Sequence, residues 1–152
     1  MLQNMTVKEL IKQKPGGIID KAYQFSEKVH RGQKRKSGDP YFNHALAAAN
    51  NIADWNLDEQ TIVAALLHDT VEDTEVTLQD IKDKFGEEVA FLVDGVTKIR
   101  KIKYRGTLSQ VENLRKMLLA LSEDIRVILI KLADRLHNMQ TLKHVSPQKQ
   151  KR

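Results

Sequence analysis

Residues 61–69 read Thr61-Ile62-Val63-Ala64-Ala65-Leu66-Leu67-His68-Asp69. Six apolar residues in succession lead directly into a histidine and an aspartate. Asp58 stands ahead of the run, where its carboxylate can cap the free amides of a first helical turn. The segment therefore predicts an apolar helix with chemically active groups at its end.

Helical periodicity extends over almost the whole chain on both sides of this segment. Apolar residues recur at steps of three and four, and only three prolines and seven glycines interrupt them. We expect further helices over about 18–31, 41–55 and 124–139. Residues 32–40 contain two glycines, a proline and three consecutive cations, which predicts a positively charged loop. The predicted fold class is all-α.

The size and composition of the chain limit what it can be. Its 152 residues are typical of one domain, so we expect residues 1–152 to form a single unit. Hydrophobic residues make up 41% and charged residues 30%, which excludes global disorder. The absence of cysteine excludes disulfides, thiolate metal sites and cysteine nucleophiles. Any metal ion must therefore be held by nitrogen and oxygen.

The charge and hydropathy of the chain limit the classes of partner that it can bind. The formal net charge of +5 favours polyanionic ligands. Aromatic residues are few and do not alternate with basic ones, so we expect no nucleic-acid partner. No apolar run is long enough to span a membrane, and the N-terminus lacks the pattern of a signal peptide. We expect no membrane partner and a cytoplasmic location.

The polar groups after the apolar run are unusually dense. If the helix continues, His68 shares a face with Glu72, and Asp69 shares one with Asp73. Three carboxylates so close together repel one another, and a bound divalent cation would relieve that repulsion. The alternative interpretation is an exposed acidic helix end with a chance histidine.

Two distant residues offer further metal ligands. His44 lies early in a predicted helix, and Asp134 interrupts an otherwise apolar one. Each has an ordinary explanation, because His44 can be a hydrogen-bonded histidine and Asp134 can form a salt bridge with a nearby cation. Together with His68 and Asp69 they make two nitrogens and two carboxylates, a set that suits Mn²⁺ or Fe²⁺, and Zn²⁺ or Mg²⁺ less well.

The order His44, His68-Asp69, Asp134 is the signature of the HD metal-dependent phosphohydrolase superfamily. The surrounding segments, residues 30–44, 64–74, 95–98 and 130–139, closely resemble the hydrolase domain of the RelA/SpoT family. The resemblance runs from about Ile19 to Gln148. Four ordered motifs at matching separations are far more specific than the HD pair alone.

This resemblance implies an HD-domain helical bundle with its metal site between helices. It implies hydrolysis of the alarmones of the stringent response, guanosine tetra- and pentaphosphate (ppGpp and pppGpp), to GDP or GTP and pyrophosphate. The metal is usually Mn²⁺, and the ligands carry over to His44, His68, Asp69 and Asp134. Glu72 and Asp73 match the acidic pair that orients or deprotonates the attacking water.

The resemblance also implies a nucleotide-binding loop. Arg35, Lys36 and Ser37 match residues that meet the base and phosphates, although the same residues can form a solvated basic turn. On the last predicted helix, Asn138 matches a residue near the ribose, and we expect Thr141 near it. His137 is interpreted as structural.

The chain differs from the family in the length of sequence that follows the last motif. The hydrolase domain of the family continues through further helices, followed by synthetase and regulatory domains that we do not find here. We therefore expect either a domain truncated at its C-terminus or one that completes its core as a homo-oligomer. Two other functions stay open: an HD phosphohydrolase acting on another nucleotide, and a non-catalytic module that binds nucleotide or metal.

Overall fold

The computed structural model describes residues 5–100, 111–112, 114–115, 118–119 and 123–142. The helices whose bounds lie within these residues are, in chain order, α1 (Val7–Gln13), α2 (Ile18–Val29), α3 (Phe42–Asp54), α4 (Glu59–Leu67), α5 (Thr70–Asp73), α6 (Leu78–Phe85), α7 (Glu87–Arg100) and α8 (Ile125–Gln140). Within the described residues the only pairing of β type is an isolated bridge between Lys34 and Pro40. The all-α prediction is confirmed.

Helix α4 is the centre of the fold. Asp58 caps it by accepting a hydrogen bond from the Thr61 amide at 2.9 Å, as the sequence predicted. Every residue from 61 to 70 is buried, and α4 packs against α2, α3, α7 and α8. A helix that is apolar on all sides is stable only when other helices surround it.

Helix α3 lies between α4 and α8 and packs against both. Its buried face consists largely of alanines (Ala45, Ala48, Ala49 and Ala53). These small side chains let neighbouring helices approach closely. The packing brings His44, in the first turn of α3, towards the end of α4 and the middle of α8.

The basic loop 32–40 folds back on itself. The Arg35 amide donates to the Asp39 carbonyl at 2.9 Å, and the Tyr41 amide donates to the Gln33 carbonyl at 2.9 Å. The chain thus enters α3 beside the point where it left α2. No helix in the described part of the chain has the length and apolar character needed to cross a membrane.

Candidate metal centre and nucleotide loop

Side chains terminate α4 by donating hydrogen bonds to its last carbonyls. Three of its last carbonyls accept hydrogen bonds of 2.7 Å: Ala65 from His68 Nδ1, Leu66 from Ser26 Oγ and Leu67 from Thr70 Oγ1. Side chains that bind these carbonyls compete with the amides of a further helical turn. The helix ends at Leu67, and the short helix α5 begins at Thr70. The helix therefore does not continue through this segment, and the condition under which His68 would share a helical face with Glu72 is not met.

The structure brings the four predicted metal ligands together. One ligand atom from each of His44, His68 and Asp134 lies within 4.8 Å of the others. His44 Nε2 is 3.0 Å from Asp134 Oδ1. Asp69 Oδ2 is 3.2 Å from His68 Nε2 and 3.6 Å from His44 Nε2. All four residues are buried, so two imidazoles and two carboxylates share a site sheltered from bulk water.

His68 is oriented as a metal ligand needs to be. Because Nδ1 donates its proton to the Ala65 carbonyl, Nε2 carries the lone pair in the neutral ring. That Nε2 is buried and has no hydrogen-bond partner among the described residues, although the Asp69 carboxylate is near. Burial lowers the pKa of His68, but the charges of Asp69 and Asp134 outweigh it and raise the pKa to about 9. The two carboxylates thus give the site a negative electrostatic potential, and its nitrogen and oxygen ligand atoms suit a divalent cation.

Asp134 keeps its negative charge despite its burial. Burial raises the pKa of the carboxyl, but a hydrogen bond from His44 and the nearby positive charges of His68 and Lys131 together hold it well below its usual range. Lys131 Nζ lies 2.6 Å from Asp134 Oδ2. A buried carboxylate with compensating partners is the form that binds a cation.

Tyr41 joins the ligand cluster to the acidic pair. Its hydroxyl is 2.9 Å from Asp69 Oδ2 and 2.8 Å from Asp73 Oδ2. Burial and the negative charge of Asp69 raise the pKa of Tyr41 well above its usual range, so the hydroxyl keeps its proton. Glu72 lies half-buried on the same turn as Asp73. No pattern in the sequence pointed to Tyr41 as a member of the site.

The loop 32–40 is held against this turn. Gln33 Nε2 donates to the Asp73 carbonyl at 2.7 Å, and Gln33 Oε1 lies 2.8 Å from His30 Nδ1. The His30 ring stacks on Tyr41 with 5.1 Å between ring centroids. The loop and the acidic pair therefore form one connected structure.

Arg35 connects the loop to α8. Its Nη2 donates to Asn138 Oδ1 at 2.6 Å, and Asn138 Nδ2 in turn donates to Asp134 Oδ1 at 2.8 Å. Two predicted substrate residues thus contact each other and reach a predicted ligand. His137, interpreted as structural, also belongs to this group, because its Nδ1 is 2.7 Å from His44 Nδ1. Burial and the charges of His44 and Arg35 lower the pKa of His137 to about 4.

The other predicted substrate residues lie at the rim. Lys36 is exposed. The Ser37 hydroxyl donates to Asp39 Oδ2 at 2.7 Å within the loop. The Thr141 hydroxyl donates to the His137 and Asn138 carbonyls at 3.0 and 3.2 Å, at the end of α8. These contacts join the two hydroxyls to groups of their own segments and not to the four predicted ligands.

Comparisons with known proteins agree with this geometry. The HD domain family matches residues 22–152. A GTP pyrophosphokinase from Myxococcus xanthus is 55% identical over 139 residues, which are 89% of this chain and 18% of that protein. A guanosine-3′,5′-bis(diphosphate) 3′-pyrophosphohydrolase from Aquifex aeolicus is 56% identical over 124 residues, 82% of this chain and 18% of that protein.

A solved structure extends the comparison to three dimensions. It is described as a metazoan ortholog of SpoT that hydrolyzes ppGpp and plays a role in starvation responses. It matches with a TM-score of 0.72 and 29% identity over 90% of this chain and 79% of that one. This chain spans less than a fifth of the length of the curated relatives given above. The chain belongs to the HD domain family, and its relatives are the proteins of RelA/SpoT type.

Proposed function

We propose that this chain is a metal-dependent guanosine-3′,5′-bis(diphosphate) 3′-pyrophosphohydrolase, which cleaves ppGpp or pppGpp to GDP or GTP and pyrophosphate. The observation that carries the proposal is the buried convergence of His44, His68, Asp69 and Asp134 beside Asp73. The names of the Aquifex aeolicus relative and of the SpoT ortholog support the choice of substrate.

The metal ligands in this proposal are His44, His68, Asp69 and Asp134. Two nitrogens and two carboxylate oxygens leave room for further ligands in an octahedral site, which suits Mn²⁺ or Fe²⁺ better than tetrahedral Zn²⁺. When bound, such an ion supplies a Lewis acid that activates water for attack and neutralises phosphate charge.

Asp73 is the proposed general base. Its Oδ2 faces the cluster through the Tyr41 hydroxyl, which is also 2.9 Å from Asp69. A carboxylate at this point can take the proton of a water that attacks the 3′-diphosphate. Glu72, on the same turn, is the proposed second member of the acidic pair and orients that water.

The substrate's nucleoside is proposed to bind along the loop and the end of α8. Arg35 is half-buried between them, and Lys36 extends from the loop as an exposed cation. Cations at this rim attract the diphosphates electrostatically. Ser37, Asn138 and Thr141 supply hydroxyl and amide groups that can bind ribose, base or phosphate. The whole of 1–152 is taken as one hydrolase domain, and the pyrophosphokinase activity named for the longer relatives is not part of the proposal.

Two kinds of variant test the roles of the site. We expect Asp73→Asn to abolish turnover, because an amide cannot take the proton from the attacking water. Mn²⁺ should still bind, because Asp73 is not one of the proposed metal ligands. We expect His68→Ala and Asp134→Ala to lose both turnover and Mn²⁺ binding. Isothermal titration with Mn²⁺ and product analysis with ppGpp measure the two properties separately. Retained turnover in any of the three variants would refute the mechanism.

A substrate panel tests the specificity. We expect turnover of ppGpp and pppGpp in the presence of Mn²⁺, with no pyrophosphate released from GTP, dGTP or ATP. Faster turnover of one of the other nucleotides would instead favour an HD phosphohydrolase with a different substrate.

A further inference from the structure

His137 is the residue of α8 that contacts His44. The two Nδ1 atoms are 2.7 Å apart, and the ring centroids are 4.9 Å apart. His137 is half-buried, whereas His44 is 3% exposed. A nitrogen–nitrogen contact this short is a hydrogen bond in which one ring donates and the other accepts.

Arg35 determines the direction of this bond. Its Nη1 lies 3.4 Å from the same His137 Nδ1. A guanidinium can only donate hydrogen bonds. His137 Nδ1 is therefore the acceptor: its single lone pair accepts the short hydrogen bond from His44 Nδ1 and makes only a weak contact with Arg35 Nη1.

This direction decides which nitrogen of His44 can bind an ion. His44 Nε2 faces the cluster, and without an ion it donates to Asp134 Oδ1 at 3.0 Å. When an ion binds there instead, the neutral ring keeps its proton on Nδ1 and offers the ion the lone pair of Nε2. His68 has the same arrangement, since its Nδ1 donates to the Ala65 carbonyl and its Nε2 faces the cluster. The backbone fixes one imidazole, and a side chain of α8 fixes the other.

We propose that His137 is a positioning residue for the metal centre: its Nδ1 accepts a hydrogen bond from His44 Nδ1 and so holds His44 Nε2 towards a bound metal ion. The inference rests on the proposed function, because it presumes that His44 is a ligand. Hydrogen-bond partners of ligating histidines orient the ring and increase its basicity, and losing one typically lowers metal affinity 10- to 100-fold.

The test compares two substitutions at this position. His137→Leu removes the acceptor, whereas His137→Asn keeps an oxygen at the place of Nδ1. We expect the Kd for Mn²⁺, measured by isothermal titration, to rise about 10- to 100-fold in His137→Leu. His137→Asn should recover most of that loss. Arg135→Gln, an exposed change on the same helix, is the control and should bind Mn²⁺ like the unaltered chain.

The outcomes separate this inference from the proposed function. If the unaltered chain neither binds Mn²⁺ nor hydrolyses ppGpp, the proposed function fails. If the unaltered chain does both and His137→Leu keeps its Mn²⁺ affinity within twofold, the role of His137 is refuted. Equal losses in His137→Leu and His137→Asn also refute it, since a packing defect would explain them.

A measurement on the unaltered chain covers the case in which His137→Leu does not fold. Long-range ¹H–¹⁵N spectra of the histidine rings, recorded with diamagnetic Zn²⁺, report which nitrogen carries the proton. We expect a protonated Nδ1 in His44 and an unprotonated Nδ1 in His137. The reverse assignment would overturn the inference.

Discussion

At the scale of single residues, the Tyr41 hydroxyl has one proton and two carboxylate neighbours. Asp69 and Asp73 lie 2.9 and 2.8 Å from it. The proton can be donated to either acid, and a proton taken up by Asp73 can be donated back to the phenolic oxygen. The hydroxyl thus keeps a proposed base at a fixed distance from a proposed ligand.

Removing this hydroxyl should affect turnover more than binding. We expect Tyr41→Phe to lower kcat for ppGpp about 10- to 100-fold, in the range that a misplaced base costs, with KM changed less than threefold. Tyr23→Phe is the matched control, since it removes the same hydroxyl from a tyrosine that packs edge-on against Phe42 and has no role in the proposed site. Steady-state kinetics in Mn²⁺ would contradict this account if Tyr41→Phe had the kcat of Tyr23→Phe.

Three of the four proposed ligands were predictable because each has an energetic signature along the chain, whereas His44 was indicated only by its order ahead of the HD pair. His68 and Asp69 follow an apolar run, and Asp134 interrupts one. Tyr41 and His137 have no such signature, because an aromatic residue or a histidine near a helix end is ordinary. Their partners are 32 and 93 residues away, and only the packing of α3 against α4 and α8 brings them together.

At the scale of elements, Arg126 ties three helices together at the end of the bundle opposite the end of α4. Its guanidinium contacts Asp124 at 2.7 Å, Glu88 at 2.7 Å and Asp58 at 3.4 Å. These acids lie at or near the N-termini of α8, α7 and α4 respectively, where negative charge is favourable. One cation therefore keeps three helix starts in register.

We expect Arg126→Gln to lower the free energy of unfolding by about 1–2 kcal/mol, since the pairs are partly exposed and screened by solvent. Urea denaturation followed by circular dichroism measures the change. Arg135→Gln, exposed on the same helix, serves as the control. Equal stability of the two variants would show that the Arg126 contacts contribute nothing.

Because of the same contacts, we expect the free energy of unfolding to depend on pH. Hydrogen bonds from Arg126 lower the pKa of Asp124 below its usual range, although burial raises it. Burial also raises the pKa of Asp58, but hydrogen bonds from Thr61 and the charge of Arg126 outweigh burial and lower that pKa. Because these pKa values are lower in the folded chain, their contribution is present above about pH 4 and is lost as the pH falls further. The stability difference between the unaltered chain and Arg126→Gln should shrink below pH 4. A difference that grows in acid would contradict the assignment.

Helices α7 and α8 approach each other at Gly95. A Cβ added there would lie 2.8 Å from Val127 Cγ2, and Val127 is buried. We expect Gly95→Ala to destabilise the fold by about 1–3 kcal/mol through overpacking, although alanine favours a helix. Val127→Ala makes room, so the double variant should lose less stability than the sum of the single variants. Strict additivity in urea denaturation would refute the close approach.

Helices were predictable to within a few residues because their apolar periodicity is local. The cap at Asp58 was predictable for the same reason. The stop of α4 at Leu67 was not, since it depends on the Ser26 hydroxyl of α2 binding the Leu66 carbonyl. That contact spans 40 residues and has no counterpart in the local pattern.

At the scale of the whole molecule, a metal ion held by the cluster would couple its binding to stability. The four proposed ligands come from α3, α8 and the α4–α5 junction, so an ion that needs all of them binds only the folded chain. At a free Mn²⁺ concentration 100 times Kd, the folded state gains about 2.7 kcal/mol. Thermal unfolding should shift upward in excess Mn²⁺ and return with EDTA.

The matched variants for this shift are His68→Ala and Asp83→Ala. His68→Ala should show no shift, whereas Asp83→Ala, an exposed aspartate on α6, should respond like the unaltered chain. An unaltered chain that does not respond to Mn²⁺ would remove the basis of the metal centre.

The proposed hydrolysis is tested by following the fate of ppGpp itself. The purified chain is incubated with ppGpp in Mn²⁺ and, separately, in EDTA, with Asp73→Asn beside it, and ion-exchange chromatography resolves the products. We expect GDP and pyrophosphate from the unaltered chain in Mn²⁺ alone. Intact ppGpp after incubation with a folded, Mn²⁺-loaded chain would contradict the account, as would equal turnover in EDTA.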